Sequence, residues 1–206
     1  YFNPEKIEDL ELRFNFQNVI KDLQDRGSKE LPIHHYDIQE GGKMKLKLLD
    51  KEDWSRKKVE ESIREMISEN QLLSMATAKG EEPHINTAFY AFDDELNLYV
   101  LTTPDTIHGE NLEENNSVAV DIHDSHQEWT DDKEGLQIFG ETKQVENASK
   151  ALGLYKGRYP ELGEFAATTE ELEELDSEFY IIKPERIKVF DEPRFGTETW
   201  INVKIE

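Results

Sequence analysis

The sequence contains no cysteine. That excludes disulfides, thiolate zinc sites and cysteine nucleophiles. Positive charge is scarce: 24 Lys and Arg stand against 46 Asp and Glu, a formal net charge of −22. A nucleic-acid backbone or an anionic membrane surface needs clustered positive charge, so neither is expected as a partner. No apolar run approaches the roughly 18 residues of a membrane span. Hydrophobic residues are few, 36% of the chain. Aromatics nevertheless reach 10% and stand in alternating runs, which marks a folded domain with an acidic surface rather than a disordered chain. The common catalytic motifs are also missing: no G-x-S-x-G, no H-E-x-x-H, no Walker loop and no G-x-G-x-x-G. No residue is therefore assigned a catalytic role. The chain begins at Tyr1 without a secretory leader pattern, and a cytoplasmic protein is expected.

What is present has room for one ordinary domain plus an extension in 206 residues. Residues 1–50 read as an N-terminal extension. Asn3-Pro4 opens a helix that Gly27 stops, and a linker with room for one short strand follows. Residues 51–206 form the main domain. Asp50 or Asp53 is expected to cap its helix, in which Val59, Ile63, Met66 and Ile67 recur at helical spacing, with Asn70 as a left-handed stop. Strands are expected over 71–79, 83–92, 96–102, 117–123, 135–145 and 178–190, the last interrupted by Pro184, which predicts a bulge or an edge. Short helices are expected over 107–114 and from Asn147 or Ser149 to before Pro160. Thr168 with Glu171 reads as the capping box of another. Strands joined by short helices without βαβ alternation predict an antiparallel barrel.

Four clusters could carry chemistry. Asp121, His123, Asp124 and His126 could bind a divalent cation, but with 46 acids chance clustering is expected, and no metal site is assigned. His34-His35 is read as exposed. The acidic run 168–178 is read as a solvated helix face. Hydroxyls of Thr102, Thr103 and Thr106 converge with His108 at the start of the 107–114 helix. A helix N-terminus can hold phosphate, and the same hydroxyls can simply cap the helix.

The order of pieces carries a resemblance. Ser74-Met75-Ala76-Thr77-Ala78, Gly80-Glu81-Glu82-Pro83-His84, Phe89-Tyr90 and Leu98-Tyr99-Val100-Leu101-Thr102 come first. Asn115-Asn116-Ser117-Val118-Ala119-Val120, Gly135-Leu136-Gln137-Ile138-Phe139-Gly140 and Lys183-Pro184-Glu185-Arg186-Ile187-Lys188 follow, then Phe195-Gly196 ahead of Trp200. Over residues 54–202 the chain resembles the FMN-binding split-barrel family of pyridoxamine phosphate oxidase, nearer to its small oxidase-like members than to the vitamin-pathway enzyme. The resemblance implies a mainly β fold, a six-stranded antiparallel split β-barrel with Greek-key character. It implies a homodimer with one FMN in each of two clefts between subunits.

The ring would lie along Asn86, Thr87, Ala88, Phe89 and Tyr90. Thr102, Thr106 and His108 would hold the phosphate. Gln137 and Trp200 would reach the partner's flavin. The function implied is that of a flavin-binding oxidoreductase transferring hydride to or from an unidentified small molecule. One departure stands out: Ile107 and His108 replace the Arg and Lys of the family's phosphate clamp. The alternative is a non-catalytic protein on the same barrel. It would hold flavin, deazaflavin or haem, with His84, His108 or His123 as axial ligands, or would have lost its cofactor.

Overall fold

The computed structural model describes residues 46–49, 54–162 and 166–206. The chain divides into two compact units, Tyr1–Glu40 and Gly41–Glu206, and every described residue lies in the second. The expected N-terminal helix, His34-His35, Asp50 and Asp53 fall outside the described residues.

Helix α1 (Arg56–Glu69) is capped by Ser55, whose hydroxyl accepts from the Lys58 amide. Asn70 ends it in extended, not left-handed, conformation (φ −93°, ψ 136°). Its side-chain amide donates to the Met66 carbonyl, so a hydrogen bond does what the left-handed turn was expected to do. Val59, Ile63, Met66 and Ile67 are buried against the sheet, as their spacing predicts. Ser62, buried on the same helix, donates to Asp191 at 2.6 Å.

Eight strands follow the chain: β1 (Leu46–Leu48), β2 (Leu72–Lys79), β3 (Glu82–Phe92), β4 (Leu98–Thr102), β5 (Ser117–Ile122), β6 (Glu134–Gln144), β7 (Glu178–Asp191) and β8 (Trp200–Ile205). Their order is β1-β8-β7-β4-β3-β2-β5-β6, and β6 pairs back to β7. Strands β2 to β7 therefore close a six-stranded antiparallel barrel. This is possible because β7, at 14 residues, offers two halves. Glu178–Ile182 pairs β4 on one edge, Arg186–Phe190 pairs β8 on the same edge, and β6 runs along the other edge throughout. Between the halves, Phe139 faces Arg186 and Gly140 faces Pro184, so Glu185 is the extra residue of a bulge. Pro184 has no N–H to lose there. A Cβ at Gly140 would lie 2.0 Å from the Lys183 carbonyl oxygen, so only glycine permits this approach.

Strand β8, helix α5 (Glu192–Phe195) and the joining of β1 to the sheet have no sequence expectation behind them. The remaining helices are α2 (Ile107–Glu114), α3 (Ala148–Arg158) and α4 (Thr169–Glu174). The expected capping box of Thr168 and Glu171 is formed. Met75, Leu98, Ile122, Leu136, Ile138, Ile182, Ile187 and Val203 fill the barrel core with α1. Each such side chain stabilises by about 1.5–3 kcal/mol. Helices α3 and α4 pack outside, over Ala91, Tyr99 and Phe179. Among the described residues, no helix is long and apolar enough to cross a membrane.

Candidate cofactor-binding site

Strands β3 and β4 pair only at Tyr90, Ala91 and Phe92, and then part. Residues 83–89 of β3 pair with β2 on one side and, among the described residues, have no strand partner on the other. Tyr155 of α3 bridges the start of this split. Its hydroxyl donates to the Phe89 carbonyl at 2.7 Å and accepts from the Leu101 amide at 3.1 Å.

Helix α2 sits at the far side of the split. Its buried Asn111 donates to the Thr77 hydroxyl at 3.0 Å, which ties it to β2. Gly109 makes the seat possible, since a Cβ there would be 2.2 Å from the Pro104 carbonyl oxygen. Between β3 and α2 stand His84, Thr102 and His108, and Asn86 lies on the same face of β3 as His84. Thr102 and His108 share a 2.6 Å hydrogen bond, and the His84 and His108 rings lie parallel with centroids 5.9 Å apart. Burial, and then the neighbouring His84, push the His108 pKa down, so its ring is neutral near pH 7. Thr106 caps α2. Its hydroxyl donates to the Thr103 carbonyl and accepts from the Gly109 amide. Ile107 points into solvent, 62% exposed. The hydroxyls expected at a phosphate thus already have partners, and no cation stands among them. One group in the wedge lacks a partner: Asn86 Oδ1 is buried without a hydrogen bond.

The alternation of β3 divides the five residues expected along a ring. Asn86 and Ala88 turn inward. Thr87 and Phe89 turn outward, Thr87 at 3.5 Å from the Ser74 hydroxyl. Tyr90 is fully buried with its hydroxyl 2.8 Å from the Ile67 carbonyl oxygen, which leaves it no surface for a ligand. Around Phe89 the outer face is apolar: Leu72 (47% exposed), Ile85 (67%) and Phe89 (54%), with Leu72 directly opposite Phe89 and Ala76 opposite Ile85.

Gln137 and Trp200 lie elsewhere. Both line an open cleft of about 550 Å³ with Asp121, His123, Trp129 and Phe190, and Gln137 stands in one cross-strand row with Asp121, Ser74 and Thr87. Phe190, directly opposite Trp200 on the neighbouring strand, stacks on it at 4.1 Å. Phe190 is not among the residues the resemblance carries to the flavin, and His84 entered only as a haem ligand of the alternative reading. Their signal was an aromatic at the end of one strand and a histidine just after the Gly80 turn. Asp121 and His123 form one pair at 2.5 Å and Asp124 and His126 another at 3.0 Å. Among the described residues, no group of three or more His, Cys, Asp or Glu could hold a metal ion.

A closed six-stranded barrel whose third and fourth strands part beside a capping helix defines a split-barrel protein. The family model of pyridoxamine 5'-phosphate oxidase matches residues 59–191, more than half of the sequence, and the chain belongs to that family. Three solved structures share the fold. A putative pyridoxamine 5'-phosphate oxidase from Listeria innocua is 20% identical, with 64% of this chain and 97% of that chain covered and a TM-score of 0.52. A protein related to general stress protein 26, from Clostridium acetobutylicum, is 16% identical over 73% and 96%, with a TM-score of 0.56. A heme-binding protein from Mycobacterium smegmatis is 13% identical over 70% of this chain and 57% of that one, also at 0.56. At these identities the likeness is one of fold. No curated protein matches the sequence.

Proposed function

We propose that the protein is a homodimeric flavin-binding oxidoreductase that takes FMN into the split between β3 and α2. The observation that carries this reading is Asn86 Oδ1, a buried acceptor without a donor, beside a stretch of β3 with a free edge. A buried acceptor left unpaired costs about 1–3 kcal/mol, and a flavin carries the N–H and hydroxyl donors that would satisfy it. Asn86, Ala88 and the β3 backbone suit the flat ring, and Thr102 with His108 suits the ribityl hydroxyls. The phosphate finds no cation on this chain's α2, because Ile107 is uncharged and His108 is held neutral. When bound, the flavin supplies hydride transfer at its N5. The chain binds it, orients it and excludes water. The exposed Leu72, Ile85 and Phe89 would be covered by a second copy. In the family pattern, Gln137 and Trp200 of one subunit then serve the cofactor of the other.

Titration with FMN and with riboflavin tests this. Both are expected to bind, with absorption bands near roughly 370 and 450 nm, and their affinities are expected to agree within about tenfold, because a phosphate with no ion pair adds little. A colourless protein that takes up neither flavin sinks the reading. Phe89→Lys is expected to yield monomers in sedimentation; an unchanged state rejects this face as the dimer contact.

The self-paired clamp favours a second reading, a non-catalytic protein on the same barrel. Haem held by His84, His108 or His123 would announce itself by a Soret band in the purified protein.

A further inference from the structure

Strand β3 changes partner at Phe89 and Tyr90. Its residues up to Phe89 pair with β2, whereas Tyr90, Ala91 and Phe92 pair with β4. In an antiparallel ladder every second residue pair exchanges hydrogen bonds. The Asp93 amide donates to the Asn97 carbonyl at 3.1 Å. The register then makes Ala91 with Tyr99 the next such pair, and Phe89 with Leu101 the one after. Both strands run on past that point: Leu101 and Thr102 still pair with β7, and Phe89 and Ala88 with β2. Neither Phe89 nor Leu101 is a proline, so the two backbones could form this rung themselves.

A side chain makes the rung instead. The Tyr155 hydroxyl lies between the two groups that would otherwise meet. It donates to the Phe89 carbonyl at 2.7 Å and accepts from the Leu101 amide at 3.1 Å. The strands are thus held apart by the width of one hydroxyl. Both backbone groups are satisfied, so the ladder stops here without leaving a polar group unpaired. The split begins at this insertion.

The insertion is stiff. Tyr155 is buried, and its ring packs on those of Phe179 and Tyr159 with centroids 5.1 and 5.6 Å away. Burial, and then the neighbouring Tyr159, push its pKa up, so the hydroxyl keeps the proton it donates. Helix α3 is pinned at both ends. The Lys150 ammonium donates to the Asp93 carboxylate at 2.7 Å. The Arg158 guanidinium donates to the carbonyls of Ile67 and Asn70 at the end of α1. Tyr159 repeats the device on the other edge of β3. The register puts Gln71 opposite Tyr90, and the Tyr159 hydroxyl lies 2.7 Å from the Tyr90 carbonyl oxygen and 3.1 Å from that of Gln71. That edge belongs to the β2 ladder and not to the split.

We propose that Tyr155 is a positioning residue of the cofactor site, whose hydroxyl holds the split open by standing in the rung between Phe89 and Leu101. Closing that rung would draw Thr102, the next residue of β4, toward Ala88 and narrow the space in which Thr102 and His108 stand. Its part in cofactor binding rests on the flavin reading; the insertion itself does not. The test is Tyr155→Phe in the full chain, which keeps the ring and removes only the hydroxyl. Amide hydrogen exchange is followed by NMR without cofactor, and FMN is titrated separately. The Leu101 amide is expected to stay protected to within about tenfold of the wild type, because it passes directly to the Phe89 carbonyl. FMN affinity is expected to fall about tenfold or more as the site narrows. Tyr159→Phe, the same change on the β2 edge, is expected to leave FMN affinity unchanged. A Tyr155→Phe protein that fails to fold, a Leu101 amide that loses its protection, an unchanged FMN affinity in Tyr155→Phe, or an equal loss in Tyr159→Phe would overturn the proposal. A wild-type protein that takes up no FMN sinks the flavin reading, and exchange at Leu101 then decides the insertion by itself.

Discussion

The wedge at β3 and α2 and the cleft under Trp129 sit on one sheet and solve opposite problems. In the wedge, polar side chains are half-buried and mostly satisfied by one another: Thr102 by His108, Thr106 by its own helix, Asn111 by Thr77. The His108 pKa is pushed down by burial, and one amide oxygen is left over. In the cleft, the side chains are exposed, carboxylates dominate, and the hydrogen bonds go into fixing the loop rather than satisfying the lining. The difference teaches that a net charge of −22 is not spread as uniform repulsion. Half-buried polar groups meet it by pairing with one another, whereas the exposed carboxylates stay in water.

The largest effect should come from the wedge's seat. Gly109→Ala forces a Cβ to within 2.2 Å of backbone oxygen, and urea unfolding should show a loss of about 3 kcal/mol. Unchanged stability would mean that α2 is free to shift, and the wedge would not be the fixed site described. Next, Ile107→Arg places a cation where the wedge has none. FMN affinity should rise about tenfold or more, riboflavin affinity should not, and the gain should fade with salt. An equal gain for riboflavin would show that the phosphate lies elsewhere.

A smaller effect follows from pH. The His108 pKa is lower in the folded protein than in the unfolded chain. As pH falls below the ordinary histidine range, the unfolded chain takes up its proton first, and stability drops with falling pH until the folded pKa is passed. Unfolding temperatures between pH 7 and 5 should fall less steeply in His108→Asn than in the wild type. The smallest effect belongs to the cleft: Trp129→Ala should change the unfolding temperature hardly at all. A clear destabilisation would show that the indole is part of the packing, and the contrast between the two regions would fail.

Much of the fold was legible because it is local. The apolar spacing of α1, the capping box at Thr168, the turn at Gly80 and the bulge at Pro184 all depend on residues within a turn or a strand of one another. The cap was misplaced by two residues or more, from Asp53 or Asp50 to Ser55, since any short polar side chain at a helix start competes for that role. Strand β8 went unread, as its Ile201 and Val203 alternate for only a few residues and gain their burial from β7. The candidate site was legible as a list but not as a place. Asn86 to Tyr90 look equivalent in sequence. The pleat of β3 sends two inward to the wedge, two outward to an apolar face and one into the core.

By itself, then, the sequence determined the antiparallel barrel, the uncharged Ile107 at the start of α2 and the absence of any thiol chemistry. These follow from residue types and short-range periodicity, which do not change on folding. Tertiary structure alone decided that β3 and β4 part after Tyr90, that the His108 pKa is pushed down, that Asn86 keeps an unpaired oxygen and that Trp129 stands in water. Each of those is set by what a distant segment brings alongside: Tyr155 across the split, His84 beside His108, and Lys133 under the loop that holds Trp129.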